Sequence, residues 1–287
     1  MPARITNDDK QTKPAIRRAL SFLHKDENMT HHHNDNSSRT QIFAVLDIEM
    51  LFRVDAYEAY CRLDPDPAKT LRYPFRSTCA AALLTFSVRD GIFEFGHLDS
   101  WAGDDEPALL RALFDRLHML PDARLTTWGG LSMDLPVLRI GAARHHLRLP
   151  RQLIKSAKQN REWLHLDLGE EHKAGSYIHM SEVAVALNLP VKFADSAASV
   201  RHLLETGKLQ RLRNVPVADV VTTALLLQAQ LETHGDLVSA RAAQIVTLRE
   251  VARRRPEAKF ADYLRRVEKR LSAEVMAEAE AFIAAAA

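Results

Sequence analysis

The sequence has too few cysteines, and apolar runs that are too short, for several common classes of protein. Only two of its 287 residues are cysteines, Cys61 and Cys79, and their spacing fits neither a disulfide framework nor a zinc site. No apolar run approaches the roughly 18 residues of a transmembrane helix. The apolar segment near the N-terminus is short and lacks a signal-peptide cleavage pattern. The sequence therefore predicts a reduced, cytoplasmic protein that does not enter a membrane.

Excess charge is also absent, since the formal net charge is only +2 and the overall charge says little about partners. With 46% hydrophobic and 26% charged residues, the composition is that of an ordinary globular protein. A chain of this length can bury a core without disulfides or structural metals. Residues 1–40 differ, because they are polar and lack apolar periodicity. They are predicted to form a disordered tail.

Between residues 41 and 234 the apolar pattern predicts an α/β domain with a mixed sheet. A buried strand begins at Gln41, and two apolar runs flank the turn Arg89-Asp90-Gly91, which is typical of a hairpin. A helix at 106–120, a strand at 124–128 and a helix at 132–147 follow, and the later segments are mostly helical. Residues 235–287 are predicted to form a helical extension. Its last part carries an apolar stripe suited either to the core or to a homo-oligomer interface: Leu264, Val267, Leu271 and Val275.

Two carboxylates lie on the first predicted strand. In the motif Leu46-Asp47-Ile48-Glu49 the acids are two residues apart, so they point to the same face of a strand. If both were buried without a partner, each would cost several kcal/mol. Hard cations such as Mg²⁺ bind such oxygen ligands. The alternative is that the strand end is exposed to water, and this motif alone does not decide between the two interpretations.

Two further acids follow in structural contexts that can be recognised from the sequence. Asp134 comes shortly after the Gly129-Gly130 turn and is predicted in the first turn of a helix. Asp219 follows Pro216, which is predicted to be the first residue of another helix. Acids in a first turn commonly complement the helix dipole, so each is a weak signal by itself. The glycines would allow a nucleic-acid backbone to approach closely.

Taken together, the order of these motifs resembles the DEDD superfamily of 3′–5′ exonucleases. Within it, the chain is most similar to the predicted exonucleases related to the proofreading domain of family B DNA polymerases. The resemblance covers about residues 41–231, including the segments 165–168 and 180–192. It implies a ribonuclease-H-like fold, in which a mixed β-sheet is flanked by helices, with a helical C-terminal extension. Asp167, in the segment 165–168, is interpreted as a structural residue rather than an additional catalytic acid.

The resemblance also implies a function and a site. It implies hydrolysis of phosphodiester bonds at the 3′ end of single-stranded nucleic acid, and the sequence leaves open whether this is DNA or RNA. Two Mg²⁺ or Mn²⁺ ions would be bound by the catalytic carboxylates Asp47, Glu49, Asp134 and Asp219.

The chain departs from the family pattern just before Asp219. Family members have a Tyr four residues, or a His five residues, before this acid, and that side chain orients the attacking water. Here the positions hold Val215 and Asn214. Neither is a general base, although Asn214 can hydrogen-bond a water. Three histidines are candidates to replace the missing residue: His165, His172 and His179.

Two hypotheses arise from this departure, because a positioned base contributes about 10²–10⁴-fold to the rate. One is an active metal-dependent exonuclease. The other is a catalytically degenerate exonuclease fold that binds nucleic acid or acts as a scaffold for a partner.

Basic residues are concentrated in one window. Residues 139–161 contain seven Lys or Arg and no acid, which fits either a solvated helix face or a phosphate-binding surface. The candidates for nucleic-acid binding are Arg139, Arg144, Arg148, Arg151 and Lys155. Trp128 and Trp163 could stack on bases, although Trp128 fits better as a core residue. The run Arg253 to Arg255 is either a second basic patch or a solubilising turn.

Overall fold

A computed structural model describes residues 40–64, 73–154, 164–173, 175–191, 194–256 and 260–286. The predicted tail up to residue 39, together with Lys155 and Trp163, lies outside these ranges. The chain divides into a compact unit, Ser38–Ser272, and a second unit that includes Ala273–Ala287. The compact unit contains all four candidate acids.

The sheet has five strands and mixed directions. They are β1 (Gln41–Phe52), β2 (Arg76–Arg89), β3 (Ile92–Ala102), β4 (Arg124–Thr127) and β5 (His165–Asp167). The spatial order is β3-β2-β1-β4-β5. Strands β1, β2 and β3 are antiparallel neighbours, whereas β4 is parallel to β1 and β5 is parallel to β4. This order and these directions confirm the ribonuclease-H-like sheet, and the predicted hairpin turns at Asp90 and Gly91, both with positive φ.

The described residues form nine α-helices. They are α1 (Val54–Leu63), α2 (Glu106–His118), α3 (Asp134–Arg144), α4 (Leu168–Glu171), α5 (Met180–Ala186), α6 (Val200–Glu205), α7 (Leu209–Thr233), α8 (Ala240–Arg254) and α9 (Ala261–Ala286). Helix α1 was not predicted from the sequence. None of its residues is buried, and its rings Tyr57 and Tyr60 pack on Phe75 near the surface and not in the main core. No helix of the described residues is long and apolar enough to cross a membrane.

The prediction that a helix begins at Pro216 is wrong. Helix α7 begins at Leu209 and continues through Pro216, although an interior proline removes a backbone hydrogen bond and typically destabilises a helix by about 3 kcal/mol. The burial of Val215, Pro216 and Val217 offsets this loss. Asp219 therefore lies well inside a long helix and not in its first turn.

The two faces of the sheet carry separate hydrophobic clusters, and β1 contributes alternately to both. Phe43 and Val45 pack in the cluster that contains Val221 and Leu225 of α7. The residues between them point the other way, into the cluster formed with α2 and α3: Ala44, Leu46 and Ile48. Asp47 and Glu49 continue the first series, so strand periodicity places them on the face covered by α7.

Helix α8 and the first part of α9 belong to the same core as α7. Leu248, Val251, Leu264 and Leu271 are all fully buried in this cluster. The amide Nε2 of Gln228 on α7 also donates to the hydroxyl of Thr247 on α8 at 2.8 Å. Three residues of the predicted stripe are thus core residues: Leu264, Val267 and Leu271. The predicted domain boundary at residue 234 stays a prediction. The homo-oligomer through the C-terminal helices also stays a prediction.

Truncation is expected to show whether the folded unit ends after His234 or after Ser272. A chain that ends after His234 loses α8 and α9 and exposes the apolar surface of α7 that they cover. It should therefore lose cooperative unfolding in urea, measured by circular dichroism. A chain that ends after Ser272 keeps the compact unit and should unfold like the full-length protein. Cooperative unfolding of the shorter chain would contradict this expectation.

Candidate active site

Three of the four candidate acids form a close group. The carboxylate oxygens of Asp47 and Glu49 on β1 and of Asp219 on α7 lie within 4.8 Å of one another. Glu49 is buried, and Asp47 and Asp219 are partly buried. The group forms because the Asp47 and Glu49 face of β1 packs under α7. We call these three residues the acid group.

Asp134 lies outside the acid group but acts on it. It is the first residue of α3 and only 8% exposed. Its charge raises the pKa of both Asp47 and Glu49. The structure thus brings all four acids to one place, three within 4.8 Å and Asp134 next to them.

Burial and mutual repulsion both raise the pKa values of Asp47, Glu49 and Asp134. Burial raises the pKa of Asp47 well above its usual range, and the charges of Asp219, Asp134 and Glu49 raise it further. Burial, followed by Asp219 and Asp134, raises the pKa of Glu49 to about 8. Burial, followed by Asp167 and Asp219, raises the pKa of Asp134 to about 7. Burial and like charge therefore favour the protonated forms of Asp47, Glu49 and Asp134 unless positive charge is supplied.

Asp167 holds the turn that leads to Asp134. Its Oδ1 accepts hydrogen bonds from the backbone N–H of Gly129 at 2.6 Å and of Gly169 at 3.0 Å. Its Oδ2 accepts one from the N–H of Leu131 at 2.8 Å. Such bonds to a buried carboxylate are charge-assisted and strong. Asp167 therefore fixes the backbone between β4 and α3.

The same turn depends on two glycines. Gly129 has φ +69°, a conformation that glycine adopts without strain. A Cβ on Gly169 would lie 2.7 Å from the backbone nitrogen of Gly129, so the two chains can approach this closely only because Gly169 has no side chain. The sequence indicated the turn at Gly129 but gave no sign of the packing partner, Gly169.

The continuous helix α7 decides which residue shares the side of Asp219. Successive residues are about 100° apart around a helix, so Val215 points about 40° and Asn214 about 140° away from Asp219. Val215 is 3% exposed and packs in an apolar cluster. The side of Asp219 therefore carries a hydrophobic side chain where the family has a Tyr. Asn214, the residue predicted to hydrogen-bond a water, points away from Asp219.

The candidate histidines are not part of the acid group. His165 is buried beside Thr127, with its Nε2 2.9 Å from the hydroxyl oxygen, and burial lowers the pKa of His165 to about 4. His172 stacks on Trp128 with ring centroids 5.5 Å apart. The backbone N–H of His179, at the start of α5, donates to the Glu182 carboxylate at 2.6 Å.

The basic window between residues 139 and 161 is divided between buried and exposed positions. Arg144 forms an ion pair with the buried Glu106 at 2.6 Å, and Arg139 donates to the backbone oxygen of Leu153 at 2.8 Å. These two cations are therefore engaged inside the fold. Arg148 is exposed, and the exposed Arg151 pairs with Asp122 at the surface.

The run Arg253 to Arg255 contacts neighbouring elements. The guanidinium of Arg254 donates to the backbone oxygen of Gly96 on β3 and lies 4.9 Å from the ring centroid of Phe95. Arg253 pairs with Glu250, and Arg255 donates to the hydroxyl of Ser100. The run therefore ties the end of α8 to strand β3.

A cavity of about 320 Å³ opens beyond the acid group, where β1 ends and α2 begins. Leu51, Thr78 and Cys79 line it, and the thiol of Cys79 donates to the backbone oxygen of Glu49 at 3.4 Å. The hydroxyl oxygen of Thr78 is buried without a hydrogen-bond partner. Charged residues of the lining include Arg53, Glu106 and Arg144. The cavity is thus a polar recess at the end of β1, and Leu51 in its lining is two residues beyond Glu49.

Residues 68–267 match the family described as a predicted 3′–5′ exonuclease related to the exonuclease domain of PolB. The match covers more than half of the chain, and the chain belongs to this family. Asp134, Asp167 and Asp219 lie within the match, whereas Asp47 and Glu49 precede it. No curated protein matches the sequence.

Solved structures of two kinds are similar to this chain. The family B DNA polymerase from Pyrobaculum calidifontis is 13% identical with a TM-score of 0.42, over 72% of this chain and 29% of that one. The structure of E. coli exonuclease I with a 5cy-dT13 oligonucleotide is 12% identical with a TM-score of 0.34, over 68% and 41%. This chain spans less than half of the length of either protein.

Replacing Glu49 with Gln is expected to stabilise the metal-free protein at alkaline pH. The folded state keeps the Glu49 proton up to about pH 8, whereas the unfolded chain loses it near 4.5. Wild-type stability should therefore fall by about 1–3 kcal/mol between pH 6.5 and 8.5, and Glu49→Gln should remove much of this loss. Urea denaturation in EDTA at several pH values measures it.

The pH window is chosen so that His165 does not interfere. Its pKa is lowered to about 4, so it destabilises the fold as the pH falls through about 6.5, opposite in direction to the loss expected from Glu49, and it is neutral in both states above about pH 7.5. Added Mn²⁺ should raise the free energy of unfolding of the wild type by more than it raises that of the Glu49→Gln variant. A wild-type stability that stays flat across the window would show that these acids do not hold protons.

Replacing Asp167 with Asn should weaken the turn that carries Asp134. The Asn amide would place an NH₂ group against a backbone N–H at a buried position, which typically costs about 1–3 kcal/mol. We expect this loss in urea denaturation, together with weaker Mn²⁺ binding in calorimetric titration. Asp122→Asn, at an exposed position, is the control and should change stability by less than about 0.5 kcal/mol. Unchanged Mn²⁺ binding in Asp167→Asn would separate the turn from the metal site.

Proposed function

We propose that this protein is a metal-dependent 3′–5′ exonuclease acting on the 3′ end of single-stranded nucleic acid. The observation that carries the proposal is the acid group of Asp47, Glu49 and Asp219, next to the buried Asp134. Family membership supports the reaction class. The proposed ligands of two Mg²⁺ or Mn²⁺ ions are these four residues.

The donor atoms of the site fit hard divalent ions. All are carboxylate oxygens, the ligands that Mg²⁺ and Mn²⁺ prefer, and their raised pKa values show that the site lacks compensating positive charge. When bound, such ions lower the pKa of a water molecule and stabilise the leaving 3′ oxygen. Without positive charge the same acids would repel a phosphodiester.

The protein's own residues orient this chemistry, but among the described residues helix α7 places no base on the side of Asp219. Val215 occupies the side of the helix where the family has a Tyr, and a Val cannot accept a proton. Since a positioned base contributes about 10²–10⁴-fold, we expect turnover to be slow. The acid group, fixed by β1 and α7, provides ligand position and charge.

The recess beyond Glu49 is suited to the terminal nucleoside. It has a volume of about 320 Å³, in the range of small-ligand sites, and its lining combines apolar Leu51 with the unpaired hydroxyl of Thr78. We propose that the 3′-terminal sugar and base enter it, which would place the last phosphodiester near Glu49. Among the predicted basic residues, phosphate contacts further along the strand are proposed for Arg148, Arg151 and Lys155.

One observation favours a second function, in which the fold binds nucleic acid or a partner without cleaving. Val215 removes the family's water-orienting side chain, and Asn214 points away from Asp219 on the continuous helix. A catalytically degenerate exonuclease would show this pattern. The two functions differ in whether a divalent ion produces shortened products.

Degradation of 5′-labelled single-stranded DNA and RNA, in Mg²⁺ or Mn²⁺, tests the proposal. We expect the wild type to produce a ladder that shortens from the 3′ end. Asp47→Asn should lower the rate at least about 100-fold, the upper range for residues that only support a ligand. Asp262→Asn, at an exposed position on α9, should cleave like the wild type. Salt-sensitive binding without products by the wild type would favour the degenerate fold.

A further inference from the structure

Tyr177 is a large aromatic residue exposed at the surface. It lies between α4 and α5, two residues after Gly175, and is 65% exposed. Its ring is edge-on to the ring of His179, with centroids 5.0 Å apart and an interplanar angle of 90°. This contact restrains the ring while most of the residue stays open to water.

The ring of Tyr177 lies over the turn at Gly129. A Cβ built on Gly129 would be 3.9 Å from Cε2 of Tyr177, the distance of an ordinary van der Waals contact. Because glycine has no side chain, the space between the ring and the turn is open on this side. A second aromatic pair begins at the preceding residue, where Trp128 stacks on His172 at 5.5 Å.

The register of the parallel strands relates this turn to the acid group. Val45 of β1 pairs with Thr126 of β4, and β4 ends at the next residue, Thr127. Gly129 therefore belongs to the turn that follows the strand beside β1. The ring of Tyr177 lies over this turn, and Asp47 is two residues beyond Val45 on β1. Asp167 fixes the turn between them through its bonds to Gly129 and Leu131.

We propose that Tyr177 forms a stacking site for a base of the single-stranded substrate, near the phosphodiester held by the acid group. The inference rests on the proposed function and adds a binding residue that the acids do not define. An exposed ring held by one edge contact can pair face-to-face with a base, and such stacking tolerates every base. Tyr177 would thus strengthen binding without selecting sequence, and it would act on DNA and RNA alike.

Binding of oligothymidylates by fluorescence anisotropy tests the proposal. The probe has about ten nucleotides, within the usual range of single-strand sites, and is used at low salt with Ca²⁺, a hard cation that supplies positive charge to the acids. A set of probes carries one abasic nucleotide at successive positions from the 3′ end. We expect Tyr177→Ala to weaken binding of the intact probe about tenfold. Tyr177→Phe keeps the ring and should bind within about twofold of the wild type.

The abasic probes distinguish stacking from a general loss of fold. At the stacked position, removal of the base should weaken binding of the probe to the wild type. It should not change the affinity of Tyr177→Ala for the probe, because both changes remove the same interaction. Phe282→Ala, which removes an equally exposed ring on α9 at 64%, should bind like the wild type. In parallel, Tyr177→Ala should raise the KM for degradation in Mn²⁺ more than it lowers kcat.

Three results would overturn the proposal, and they differ in what happens to the proposed function. Equal affinity of the wild type and Tyr177→Ala for every probe would remove the stacking site and leave the proposed exonuclease intact. The same conclusion would follow if Tyr177→Ala lost affinity by the same factor for the intact probe and for every abasic probe. If the wild type neither binds nor degrades any probe, the proposed function and the stacking site both fail.

Discussion

The site depends on the mutual repulsion of acids that the fold holds together. Asp47 and Glu49 are fixed on one face of β1, between β2 and β4, and α7 brings Asp219 against that face. Burial and like charge raise the pKa values of Asp47 and Glu49, so the metal-free arrangement is opposed by its own electrostatics. The hydrophobic contacts of β1 and α7 keep it in place, since each lies in a fully buried part of the core. The arrangement that weakens the metal-free fold is the one that a divalent cation would stabilise.

The fourth acid depends on a different part of the fold. Asp134 begins α3, and its position is set by the turn between β4 and α3, which Asp167 holds through the backbone N–H groups of Gly129 and Leu131. Because β1, β4 and β5 are parallel, the carboxyl ends of β4 and β5 lie beside the middle of β1, near Asp47. The charge of Asp167 also raises the pKa of Asp134. The residue that orders the turn therefore adds to the negative charge of the site.

Features that depend on neighbouring residues were predictable from the sequence. Period-two alternation placed Asp47 and Glu49 on one face, and Asp-Gly placed the hairpin. Features decided by distant contacts were not. The helix rule for Pro216 failed because burial of its neighbours outweighed the lost hydrogen bond. The ion pair between Arg144 and Glu106 joins residues 38 apart in the sequence, so the basic window around Arg144 did not indicate it. The contact between Tyr177 and Gly129 likewise joins segments that no local pattern connects.

The continuous helix α7 also bears on the choice between catalysis and binding. It removes Asn214 from the side of Asp219 and leaves Val215 there, so any cleavage must proceed without a positioned base on this helix. A fold used only to bind nucleic acid, however, gains nothing from Asp47, Glu49, Asp134 and Asp219 at one place. Four acids repel phosphate as well as one another, and they would weaken such binding unless cations were present. The charge of the site therefore favours the binding of a divalent cation under either function, because a cation relieves the repulsion among the acids and between the acids and phosphate.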